Sequence, residues 1–139
     1  MDVKPQKPHT IRYTFSKEEK LCSQKIISGL FQPGFFISKY PIRFHIVFTE
    51  LPVTAVPAQA MFVVGKKKFK RAVDRNRIKR MLRELYRLHK HKWYDALNKM
   101  GKTAAIAVFY TGDNLPDYKL LEQRFLLALK QLIDEAPRK

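Results

Sequence analysis

The stretch "AVDRNRIKRMLRELYRLHKH" at 72–91 constrains the fold more than any other. It carries too much charge to be buried outright, and its apolar residues are too regularly spaced for a disordered basic tail. At about 100° per residue on a helix, Ile78, Met81, Leu82, Leu85 and Leu88 fall on one face. Arg75, Lys79, Arg83, Arg87 and Lys90 fall on a neighbouring-to-opposite face, with Asn76 and Arg80 beside them. Such a helix must dock its apolar stripe on another element and leave its cations in water. The flanks supply that element. "AQAMFVVG" at 58–65 has a strong strand signal, and "TAAIAVFYT" at 103–111 is a nearly continuous apolar strand, as expected for a central or doubly covered position.

The remaining elements arrange themselves around this strand–helix–strand centre. "SKEEKLCSQKIISGLF" at 16–31 reads as a first helix, opened by a capping-box pair at Ser16 and Glu19 and stopped by "QPG" at 32–34. "FFISKYPIRFHIVFTE" at 35–50 is β-rich and interrupted by Pro41, and Phe44, Ile46 and Phe48 alternate with His45 and Val47, so one face is buried. "LPVTAVPA" at 51–58 is a two-proline connection. "KWYDALNKMGK" at 92–102 extends the basic helix or forms another short one, with Gly101 as its cap. "YKLLEQRFLLALKQLIDE" at 118–135 is an amphipathic helix whose stripe is Leu121, Phe125, Leu126, Leu129 and Leu132 or Ile133. The expected fold is an α/β (α+β) two-layer sandwich. It has a small central sheet of about four strands, helices mainly on one face, and the order α-β-β-β-α-β-α. The expected organisation is a disordered lead-in at 1–11, a single domain at 12–135 and a tail at 136–139.

Charge narrows the function. The chain has 139 residues and a formal charge of +16. Residues 66–92 hold 13 Lys or Arg against two acids, Asp74 and Glu84, a net +11, and the other 112 residues carry the remaining +5. A patch that concentrated implies a polyanionic partner. A docked helix would present guanidiniums about one turn, or roughly 6 Å, apart, and the planar fork of arginine suits phosphate. The preceding loop "GKKKFKRA" at 65–72 adds Lys66, Lys67, Lys68, Lys70 and Arg71, and leads into a helix N-terminus that also favours anions. A merely solvated face would ordinarily be neutralised by acids one turn away, and Glu84 is the only acid between Arg75 and Arg87. A membrane-surface helix is disfavoured because the apolar stripe is needed for the core.

Other chemistries find little support. Cys22 is the only cysteine, which excludes an intramolecular disulfide and fits a reducing compartment, with a buried helical position as its default. No apolar run is long enough to span a membrane, the first ten residues lack a signal-peptide core, and a cytoplasmic location is expected. His89 and His91 stand about 200° apart on a helix and cannot share a metal. They are expected to be solvated or on the phosphate side. Trp93 reads as a core anchor. No carboxylate pair, metal cluster or glycine-rich phosphate loop is legible, and no small-molecule substrate is implied.

The run "AVDRNRIKRMLRELYR" at 72–87 closely resembles the signature of the protein subunit of bacterial ribonuclease P: a Lys-Lys pair, a short spacer, then Ala-Val-x-Arg-Asn-Arg-Ile-Lys-Arg-x-x-Arg-Glu. Here the pair is Lys66–Lys67. The resemblance covers about 15–133 and is strongest at 62–88. It implies an α/β sandwich with a left-handed β-α-β crossover. It also implies a protein that binds ribonuclease P RNA and precursor tRNA and assists Mg²⁺-dependent removal of the 5′ leader. The Mg²⁺ is bound mainly by RNA, and the endoribonuclease chemistry belongs to the RNA. Carried over by position, Arg75, Asn76, Arg77, Lys79, Arg80 and Arg83 are the motif's RNA contacts, on one surface with Lys66 and Lys67. Lys68, Lys70, Arg71 and Arg87 join them by charge. Arg77, nearer the apolar side of the wheel, is an alternative candidate for packing or bracing the loop. The resemblance further implies a leader cleft between the first helix and the sheet. Tyr40 and His45 are the leading candidates there, with Phe15 and Phe35 among the other aromatics, about half of which should be plain core. Two other functions remain open at this stage: an RNA-binding module of ribosomal type, and a nuclease acting without RNA, against which the missing carboxylate cluster counts.

Overall fold

The computed structural model describes residues 15–30 and 35–138. The lead-in expected at 1–11 and the stop signal at 32–34 lie outside them. Four strands, β1 (Phe35–Lys39), β2 (Ile42–Phe48), β3 (Ala58–Val64) and β4 (Ala104–Tyr110), form one sheet in the order β1-β2-β4-β3. Three α-helices, α1 (Gln24–Leu30), α2 (Ala72–Met100) and α3 (Tyr118–Glu135), complete the expected order.

Pro41 marks the turn of a β1–β2 hairpin, following a cis Tyr40–Pro41 bond. β2 and β4 are antiparallel, whereas β3 and β4 are parallel neighbours joined through α2. β4 is therefore central, and every residue from Ala104 to Val108 is buried.

Alternation along the strands divides the sheet into two faces. Phe44, Ile46, Ala60, Ile106 and Val108 point to the side covered by α2 and α3, where Ile78, Leu82, Leu85, Trp93, Leu97, Leu121, Phe125 and Leu132 close the main core. Ala105 and Ala107 point the other way and meet Leu21 and Leu30 of the N-terminal segment. Their small side chains let α1 approach β2 and β4 closely. The two-layer expectation thus holds for the two long helices, with the short α1 on the opposite face.

The basic helix takes the longer of the two expected forms. α2 runs 29 residues without a break to Gly101, whose φ of 66° suits glycine and closes the helix end. The N–H groups of Gly101 and Lys102 bond back to Asn98 and Leu97. Leu88, expected in the stripe, is only half-buried, and Tyr86 takes a core position instead.

One expectation at the N-terminal end needs correction. The single first helix at 16–31 is split. Ser16 and Glu19 do bond to each other, but they close only the 3-10 turn Lys17–Glu19. The chain then runs extended along the free edge of β3, where Leu21 N–H donates to the Ala60 carbonyl at 3.0 Å. That pairing occupies a strand edge that would otherwise be open. Cys22 lies in this extended piece and is exposed, not buried on a helix. At the other end, the expected tail begins with the 3-10 turn Ala136–Arg138, and Ala136 is fully buried.

Candidate nucleic-acid interface

The cation-rich loop is anchored by one apolar residue. Phe69 is buried against Tyr110, with ring centroids 5.9 Å apart. Lys66, Lys67, Lys68, Lys70 and Arg71 are all exposed around it. Lys68 is held toward β4, donating to the Thr111 carbonyl at 2.9 Å and pairing with Asp113 at 3.0 Å.

Arg75 braces this loop. Its Nη1 donates to the carbonyls of Phe69 at 2.7 Å and Lys70 at 2.9 Å. The expected roles are the reverse, with Arg77 as the candidate brace and Arg75 among the RNA contacts. Arg75 stands three residues before Ile78 and seven before Leu82, spacings that put it on the docked side of the helix. Arg77 is exposed.

The outward fan of α2 is therefore Asn76, Arg77, Arg80 and Arg83, all exposed, with Lys79 half-buried beside them. The Arg83 guanidinium lies 5.9 Å from the Phe62 ring centroid, which orients it. Arg87 makes a double contact with Glu84, Nε–Oε1 at 3.1 Å and Nη2–Oε2 at 2.5 Å. It is thus partly neutralised within its own helix. Lys90 does not belong to the outer face. It is 4% exposed and paired with the buried Glu19 carboxylate, which also accepts from Tyr94 Oη at 2.5 Å. His89 bridges to α3 through Glu122 at 3.1 Å, so it is an interhelix contact and not a solvated group. Trp93 is fully buried, as a core anchor should be.

The opposite face of the sheet carries a second constellation. Phe36 and His45 are directly paired across the hairpin, and Arg43 faces Phe109 across β2 and β4. Phe36 is 52% exposed, and the Arg43 guanidinium lies 4.6 Å from its ring centroid. The His45 ring sits 4.6 Å from Phe109, with its Nδ1 3.3 Å from the Leu30 carbonyl of α1. Burial holds the His45 pKa below the ordinary imidazole range and the Arg43 charge adds to this, against the opposing pull of the Leu30 carbonyl.

Of the four leader-cleft candidates, only His45 lies on this face beside α1. Phe15 packs edge-on against Phe62 and Tyr86, and Phe35 stacks on Phe48, all on the helix-covered side. Tyr40 is exposed at the hairpin turn, at the end of the sheet. Sequence reasoning missed Phe36, Arg43 and Phe109. The signal was there: residues alternating with the buried Phe44 and Ile46 must face the other way, and a hairpin at Pro41 sets Phe36 opposite His45.

A long basic helix seated on a four-stranded mixed sheet, with a braced cationic loop at its start, defines a small α+β protein with one concentrated cationic surface. The family model for ribonuclease P matches residues 15–132, and the chain belongs to that family. It is 36% identical over 126 residues to a protein named ribonuclease P protein component from Porphyromonas gingivalis, with 90% of each chain covered. Its counterpart in Acinetobacter baylyi is 36% identical over 80 residues, 58% of this chain and 59% of that one. The solved ribonuclease P protein of Staphylococcus aureus superposes with a TM-score of 0.65 at 17% identity, covering 83% of this chain and 95% of that one. That of Thermotoga maritima gives 0.63 at 19% identity, covering 81% and 96%.

Proposed function

We propose that this chain is the protein component of a ribonuclease P, binding its RNA and assisting removal of the 5′ leader from precursor tRNA. The observation that carries the reading is the exposed fan of Asn76, Arg77, Arg80 and Arg83 with Lys79 beside it, contiguous with the five loop cations. A rigid helix holding cations at fixed spacing loses little entropy on meeting phosphates and selects a backbone geometry.

The chemistry falls to the RNA. Among the described residues no three His, Cys, Asp or Glu side chains gather as metal ligands. The Mg²⁺ needed for phosphodiester cleavage is held by RNA and substrate. No helix among the described residues is long and apolar enough to cross a membrane.

The leader is read on the open sheet face. Phe36 offers an exposed ring under a guanidinium, a surface on which an unpaired base stacks without regard to sequence. The Arg43 guanidinium beside that ring adds a charge that suits a leader phosphate.

The test is cleavage of a leader-bearing precursor tRNA at low Mg²⁺ by the protein alone, by a bacterial ribonuclease P RNA alone, and by the two together. Activity confined to the mixture is expected. A folded, RNA-binding protein that gives no stimulation overturns the reading.

A further inference from the structure

One end of the sheet gathers the hairpin turn at Tyr40–Pro41, the loop after β4 and the start of α3 around a cavity of about 260 Å³. Three of the six large apolar side chains exposed on the described surface, Tyr40, Leu115 and Leu120, line it. Its inner wall is fixed. Tyr110 Oη donates to the Asn114 carbonyl at 2.5 Å, and a Cβ at Gly112 would collide with the Tyr110 ring. The cavity adjoins the basic loop directly, because Asp113 on its rim is the partner of Lys68 and Tyr110 packs on Phe69.

We propose that this cavity takes a single unpaired base of the ribonuclease P RNA whose backbone runs along the basic loop. This rests on the functional reading above. The cavity is smaller than typical small-molecule sites, which begin at about 300 Å³, and it suits one flat ring. Tyr40 supplies an exposed aromatic face and Arg124 an exposed guanidinium plane, the two surfaces on which unstacked bases are held. The rim carries the carboxylates of Asp113 and Asp117. They disfavour a phosphate inside and favour the exocyclic amino group of adenine, cytosine or guanine. The phosphates stay outside, on Lys66, Lys67 and Lys70.

The test is dimethyl sulfate probing of full-length ribonuclease P RNA bound to the wild-type protein, to Tyr40→Ala and to Arg124→Ala, with affinities measured in parallel. Both residues are exposed, and a thermal melt checks that each variant folds. One unpaired adenine, cytosine or (read at N7) guanine protected by wild type and reactive with both variants is expected, with affinity roughly 5- to 150-fold weaker, the range for one stacked base. Wild-type binding with unchanged protections and affinities in both variants overturns the proposal alone. So does a protection that appears only on added precursor tRNA. Absence of wild-type binding overturns the functional reading itself.

Discussion

Arg75 and Phe69 are joined by a 2.7 Å hydrogen bond from a guanidinium to a main-chain carbonyl, which ties the first turn of α2 to the loop before it. A second bond from the same nitrogen reaches Lys70. Hydrogen bonds from a charged donor contribute about 1.5–3 kcal/mol when well shielded, and less at this half-exposed site. Arg75→Ala should therefore cost about 1 kcal/mol of stability. It should also expose 66–71 to trypsin faster than wild type. Unchanged digestion kinetics would show that Arg75 does not hold the loop.

Glu19 and Lys90 form a buried ion pair across 71 residues of sequence. Removing one partner leaves the other charge uncompensated, which costs about 3–5 kcal/mol. Lys90→Ala should show this loss in chemical denaturation, and a drop of less than about 1 kcal/mol would mean the pair is not buried in solution. The pH dependence follows. Burial alone would raise the Glu19 pKa, but the hydrogen bonds from Lys90, Ser16 and Tyr94 outweigh it, and the folded-state value is lowered. The unfolded chain thus binds this proton more readily. The contribution is fully present above the ordinary carboxylate range and is lost as pH falls through and below it. Glu19→Gln should flatten the acid limb of the stability curve.

The two sides of α2 should separate in mutants. Leu85 is fully buried, and Leu85→Ala should lower stability by about 2–5 kcal/mol without changing the salt dependence of RNA binding. A melting temperature unmoved by this change would contradict the core assignment.

Phe36 tests the open face. Because its ring is half-exposed, Phe36→Ala should leave the melt nearly unchanged. Affinity for leader-bearing precursor tRNA should fall by about 1–3 kcal/mol, the worth of a stacked base, with no change for mature tRNA. Equal weakening for both substrates would place Phe36 elsewhere in the complex.

The parts of this molecule legible from sequence are those specified locally. The stripe of Ile78, Leu82 and Leu85, the apolar run of β4 and the glycine cap at 101 each follow from spacing or backbone conformation. The features that escape a sequence reading depend on distant partners. Glu19 looks like a helix cap until Lys90 and Tyr94 arrive from the far half of α2, and the extended piece at 20–23 exists because β3 has an edge to cover. Lys90 lies off the stripe of Ile78, Leu82 and Leu85, but it stands between Tyr86 and Trp93, whose burial carries the docked face around to it. Arg75 stands at the docked edge of the helix by its spacing from Ile78 and Leu82, but that spacing does not reveal the loop carbonyls it faces. The candidate site is legible as a cationic helix and loop. The open face stays hidden because the aromatics of β1 and β2 look alike until the pairing of Phe36 with His45 sorts them.

The most direct test of RNA binding by the outer face of α2 is the salt dependence of affinity for ribonuclease P RNA. Wild type would be compared with the triple variant Lys79→Ala/Arg80→Ala/Arg83→Ala. Removing one cation from a phosphate should reduce the slope of log K against log salt by about 1. The expected slope for the triple variant is lower by about 2–3, with an unchanged melting temperature. An unchanged slope in a folded variant would contradict the assignment, because the RNA backbone would then lie somewhere other than the outer face of α2.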